Sequence, residues 1–262
     1  MKPVFLEKMV AICARTYIEK SGRQNDRGWE LMEENRSWAI WLIRGTAAIN
    51  LTAVVLTLLF LTRGSADSLG ERMYYISSNE TAVIWSWGSN LLAVLAMTGV
   101  LVALFQVLDP EYRLVLQMAL CIWVIGAVSW ILHDLIQMIY MPALSQLFLE
   151  VPTQQLAGHI MEWENLLGRL LGLFACSCLA VSGYIFTAVM YRTDNISNGF
   201  IRYSLIVWSV VLLSAFSFRW SPVLLPWMTA CSLLLLVPWS WWLTDELVRL
   251  PAARKRVAAA RG

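Results

Sequence analysis

The sequence predicts an all-α polytopic membrane protein, a bundle of six transmembrane helices with a short amphipathic helix at its N-terminus. Three observations lead there. The 262 residues are 58% hydrophobic and only 15% charged, where a soluble globular domain is about 45–50% apolar and about 25% charged. Six long apolar runs follow one another along the chain, each able to cross a hydrocarbon core of roughly 30 Å. The 14 tryptophans gather mainly at the ends of those runs, where an amphipathic ring settles at the membrane–water interface. A soluble enzyme, a secreted disulfide scaffold and a disordered chain are excluded by the same numbers.

Residues 1–37 form a charged segment with seven basic and six acidic side chains. Within it, 3–20 reads as an amphipathic helix. Phe5, Met9, Ile12 and Cys13 recur at helical spacing, with Glu7, Lys8, Arg15, Glu19 and Lys20 on the remaining faces. Such a helix lies among lipid headgroups or docks on a partner. The segment is far longer than the n-region of a signal peptide, so the first span is expected to direct its own insertion.

The transmembrane domain, 38–246, contains spans at 39–62, 83–107, 113–141, 163–191, 200–218 and 221–244. Asp109-Pro110-Glu111 makes a tight turn between the second and third, and Arg219-Trp220-Ser221-Pro222 separates the last two. The third and fourth exceed the required length and are expected to tilt or project. A basic tail, 247–262, follows.

Positive charge orients the bundle. With the N-terminus cytoplasmic, 15 Lys and Arg residues fall on the cytoplasmic side and only Arg63, Arg72 and Arg219 on the other, the bias expected of the positive-inside rule. The expectation is therefore a multi-pass protein of the cell's inner (plasma) membrane with both termini cytoplasmic. Trp29, Trp38, Trp41, Trp239, Trp241 and Trp242 belong to one interface, and Trp85, Trp87, Trp130, Trp163, Trp220 and Trp227 to the other. Only Trp123 and Trp208 land at mid-membrane depth. Arg44, near the start of the first span, is expected to snorkel to the cytoplasmic interface.

The remaining counts exclude chemistries. No lysine lies in a span, which rules out a retinal Schiff base, and two histidines cannot ligate two haems. A net charge of +2 gives no reason to expect nucleic acid. Cys121, Cys176, Cys178 and Cys231 sit within apolar runs and read as packing residues. Phosphate-binding, dinucleotide-binding, zinc-protease and serine-hydrolase motifs are all missing.

One region departs from this background. Trp130, His133, Asp134 and Gln137 share a face of the third span near its outer end, and Glu162, Asn165 and Arg169 share a face where the fourth begins. Asn90 of the second span lies at the same depth. Ionisable groups at such depth are costly and mark function or pairing. Three readings compete. The first is a buried polar network of Asn90, Asp134, Glu164, Asn165 and Arg169, centred on an Asp134–Arg169 ion pair and helped by close helix approach at Gly168 and Gly172. The second is a metal or single-haem site using His133, His159 and Glu162, whose donor types suit zinc, copper or non-haem iron. The third is a proton- or substrate-handling site.

The functional expectation is a non-catalytic subunit, assembly factor or regulator of a larger membrane complex, with the lipid bilayer and other membrane subunits as partners. A small metal- or haem-binding redox protein is the first alternative and a proton-coupled transporter the second.

Overall fold

The computed structural model describes residues 38–63, 68–108, 110–193, 196–220 and 224–261. The amphipathic segment expected at 3–20 lies outside them. The chain divides into two units, Met1–Trp41 and Leu42–Gly262. Of the first, only 38–41 is described, as helix; the bundle is a property of the second.

Eight helices are described and no strand. They are α1 (Trp38–Leu61), α2 (Leu69–Ser78), α3 (Glu80–Val107), α4 (Arg113–Glu150), α5 (Gln154–Leu167), α6 (Phe174–Arg192), α7 (Asn198–Trp220) and α8 (Leu224–Arg261). Six of them, α1, α3, α4, α6, α7 and α8, are long and apolar enough to span a membrane. The all-α, six-span reading therefore holds. Because a span reverses direction at each connection, the starts of α1, α4 and α7 lie at one end of the bundle, here called the near end. The starts of α3, α6 and α8 lie at the far end.

Helix α2 was not expected, and the fourth span, expected at 163–191, begins only at Phe174, its first residues lying in the separate helix α5. Between the first two spans, α2 forms because Ser68 caps it: the hydroxyl accepts a bond from Glu71 N at 3.3 Å. That is half of a Ser-x-x-Glu capping box. After the third span, α4 runs through Pro142 to Glu150, nine residues beyond the expected end. Thr153 then caps α5 by accepting from Leu156 N at 3.2 Å. The inner stripes of α2 and α5, Met73, Ile76 and Ile160, pack with Met141 of α4 into a small apolar cluster of their own. Together these helices cap the far end.

Spans adjacent in sequence are joined by hydrogen bonds at membrane depth. Trp123 Nε1 of α4 donates to Thr98 Oγ1 of α3 at 2.9 Å, and Ser182 Oγ of α6 to the Ala119 carbonyl of α4 at 2.8 Å. Tyr184 and Ser209 bond across α6 and α7 at 2.7 Å. Trp239 Nε1 of α8 donates to Ser204 Oγ of α7 at 2.8 Å. Trp123, Trp208 and Trp239 meet edge to face, with ring centroids 6.0 and 5.7 Å apart. Trp123 and Trp208, the two expected at mid-membrane depth, are buried within the bundle. Trp239, expected at an interface, is instead fully buried, because Ser204 supplies the acceptor its indole would otherwise find among the headgroups.

The close approaches also differ from expectation. A Cβ on Gly172 would meet nothing within 4 Å, whereas on Gly126 it would lie 2.8 Å from Cys178 Cβ and on Gly183 2.2 Å from the Trp208 ring. The tight crossings are thus α4 on α6 at Gly126 and α6 on α7 at Gly183.

Candidate functional site

The far half of the bundle contains a cavity of about 30 Å³. Its walls come from four spans and the turn before a fifth: Thr57 and Leu61 of α1, Trp87 and Asn90 of α3, Trp130 and His133 of α4, Leu225, Pro226 and Thr229 at the start of α8, and Gly172 just ahead of α6. Two segments of wall are π-helical, Thr57–Leu61 and Gly168–Leu173. Such segments carry an extra residue per turn and recur at functional sites. The missing side chain at Gly172 leaves this space open.

His133 and Asp134 form the polar centre. Asp134 is 0% exposed and His133 5%, and His133 Nδ1 lies 3.0 Å from Asp134 Oδ1. Trp87 meets the imidazole edge to face at 5.5 Å, and Trp130 stands at 6.3 Å. The two indoles fix the ring plane, with Nδ1 engaged and Nε2 the remaining nitrogen. Asp134 Oδ2 is buried with no hydrogen-bond partner. The Trp130 indole N–H, one turn back on the same helix, is likewise buried without a hydrogen-bond partner. Across the cavity, Thr57 Oγ1 donates to Asn90 Oδ1 at 3.2 Å.

A second cavity of about 60 Å³ adjoins the first and shares Trp130 and Thr229 with it. Cys176, Trp208, Ser214 and Ser232 contribute to its wall. Ser214 Oγ donates to Cys176 Sγ at 3.8 Å.

Of the residues expected to cooperate, Asn90, His133 and Asp134 come together. The others do not. The Asp134–Arg169 pair is absent: Arg169 is exposed, and Asp134 pairs with its own chain neighbour. His159, Glu162 and Asn165 are exposed as well, with His159 beside Trp163 at 6.3 Å. No three His, Cys, Asp or Glu side chains among the described residues converge as a metal would require. The reason lies in α5. Its inward stripe is apolar, Ile160 and Leu167, so the polar row at 159, 162, 165 and 169 faces out. The π segment that follows then shifts the helical phase, and Gly172 and Cys176 turn inward without Arg169.

Glu164 has a different partner from the one expected. It pairs with Arg72 of α2, latching the two far-end helices, and burial lowers the Arg72 guanidinium below its ordinary value. Thr57, Trp87 and Thr229 were not anticipated. A signal for Thr57 existed, since Thr46, Asn50 and Thr57 are spaced 4 and 7 apart on one face of α1 and all are fully buried. Asn50 itself has neither amide atom partnered.

The fold and this site define a class: a helical membrane protein of six spans with a buried carboxylate–imidazole pair whose His133 lines an internal cavity. No protein-family model matches the chain, and neither a curated protein nor a solved structure does.

Proposed function

We propose that this chain is a non-catalytic, proton-handling membrane protein of the proton-coupled class, with the His133–Asp134 pair as its protonation site. It resides in the inner (plasma) membrane with both termini cytoplasmic, which puts the site in the outer half of the bilayer. One observation carries the reading. Asp134 is fully buried in α4, one oxygen is held by His133, and the other has no partner.

An ionised carboxylate at this depth is expensive. With a neutral imidazole the pair carries one negative charge, and uptake of a single proton cancels it. That step is strongly coupled to the surroundings because, among the described residues, no Lys or Arg pairs with the carboxylate. The smaller cavity exceeds the roughly 10–15 Å³ a water molecule needs, and a water there has His133, Asn90, Thr57 and Thr229 around it. A proton entering from the cavity meets His133 Nε2 first, and Nδ1 passes it to Asp134. The donor set suits a proton better than a hard metal cation, which asks for six or more oxygens. Membership of a larger membrane complex is a setting in which such a subunit would work.

Infrared difference spectra of the reconstituted protein, acid against neutral, test this. The expected result is a protonated-carboxyl band that disappears in Asp134→Asn and shifts in His133→Gln, with proton uptake of one per chain. Identical spectra for wild type and Asp134→Asn would overturn it.

A further inference from the structure

At the near end, another ionisable side chain lies inside a span and, among the described residues, has no counter-ion. Arg44 is on the second turn of α1, between the fully buried Ile43 and the exposed Gly45. Among the described residues the ion pairs are Arg72–Glu164 and His133–Asp134, and Arg44 takes part in neither. Its guanidinium carbon sits 5.7 Å from the centroid of the Trp241 ring of α8, within the reach of a cation–π contact. Its Nε is buried and has no acceptor.

Two described acidic residues of α8 close to Trp241 in sequence are placed otherwise. Glu246 is buried and accepts from the Ser197 backbone N–H at 3.3 Å, the Ser197 hydroxyl and Trp242 Nε1 at 3.2 Å. Asp245, one turn beyond Trp241, is exposed and makes no ion pair with Arg44. Among the described residues the Arg44 guanidinium thus stands over an indole face with no acidic partner. A Cβ on Gly45 would meet nothing within 4 Å, and Trp241 is 52% exposed.

We infer that Arg44 and Trp241 form a binding site for the phosphate diester of an anionic phospholipid from the leaflet at the near end. The chemistry selects this ligand. Arg presents a planar fork of donors that matches phosphate oxygens and stacks on aromatic faces at the same time. Snorkelling carries its head toward the headgroup layer, where phosphate is the abundant anion. Trp241 supplies a ring at the same level for the glycerol and upper acyl carbons. An anionic headgroup is preferred because a zwitterionic one brings its own ammonium against the guanidinium. The site is independent of His133 and Asp134, which lie in the other half of the bundle.

The test uses the full-length, delipidated protein titrated in detergent and read by native mass spectrometry. The probes are a phosphatidylglycerol, a phosphatidylcholine of the same chains, and inorganic phosphate. Expected is tighter binding of the first phosphatidylglycerol than of phosphatidylcholine, falling about tenfold in Arg44→Gln, the size of one charge-assisted contact. Trp241→Ala lowers it less, and Arg44→Lys restores part of it. Unchanged phosphatidylglycerol binding in Arg44→Gln overturns the site. Equal protection by inorganic phosphate would instead show a free-anion site and overturn the lipid assignment. If Arg44→Gln does not fold, Trp241→Ala decides: wild-type binding there also overturns the proposal.

Discussion

Replacing Gly183 by alanine should damage the bundle badly, whereas the same change at Gly172 should not. At 183 the new Cβ would stand 2.2, 2.4 and 2.6 Å from three ring atoms of Trp208, while carbon atoms rest at about 3.5–4.0 Å. The ring or the α6–α7 crossing must retreat by more than about 1 Å. Trp208 cannot swing away, because it is 1% exposed and held edge to face by Trp123 and Trp239. Overpacking of this kind costs about 1–3 kcal/mol, and at about 2–4 °C per kcal/mol for a chain of this size the thermal midpoint should fall by roughly 2–12 °C. At Gly172 the Cβ enters open space, and alanine recovers part of the roughly 0.5–1 kcal/mol that glycine costs within a helix. Thermal unfolding in detergent, followed by tryptophan fluorescence, reads both variants. A loss at Gly172→Ala equal to or greater than that at Gly183→Ala would refute the placement of the close approach and restore the Gly168/Gly172 crossing expected from sequence.

Two further outcomes follow from the hydrogen bonds. Ser204→Ala leaves the buried Trp239 Nε1 without its 2.8 Å acceptor; at about 1 kcal/mol for such a bond inside a membrane, the midpoint should drop by about 2–4 °C, and an unchanged midpoint would contradict the bond. Glu164→Gln strands the Arg72 guanidinium, whose side chain is 21% exposed, so it should destabilise the far-end cap more than the Arg72→Leu/Glu164→Leu double variant does, measured as protease sensitivity of the 69–78 and 154–167 helices.

The six spans were legible because hydropathy over twenty residues is a local property that lipid converts directly into structure. Helix α2 was missed because 63–82 mixes polar and apolar residues too evenly for a window to register. Its signal was the Ser68–Glu71 cap, two residues rather than a stripe. The outer cluster was legible in part. His133, Asp134 and Asn90 were found because charge and amide groups are rare at that depth. Glu162, Asn165 and Arg169 were misplaced because a constant helical period was carried from α5 into α6. A single π turn breaks that period, and nothing in the apolar pattern announces it. His159 and Glu162 share a face, as their spacing required, but the face is the one the apolar stripe leaves outside.

Two buried carboxylates in this bundle show why Asp134 is better read as a working group than as a fastener. Glu246 is what a structural acid looks like here: both oxygens are engaged, by the Ser197 backbone and hydroxyl and by Trp242, and the bonds tie α8 to the start of α7. Asp134 has none of these properties. Its one bond goes to the adjacent residue of its own helix, so it joins no two spans, and its second oxygen is left bare at the cost of its desolvation. The cohesion of the neighbouring spans comes from elsewhere, from Trp123 on Thr98 and Ser182 on Ala119. This contrast between the two acids is the observation that supports the proposed proton-handling role of Asp134.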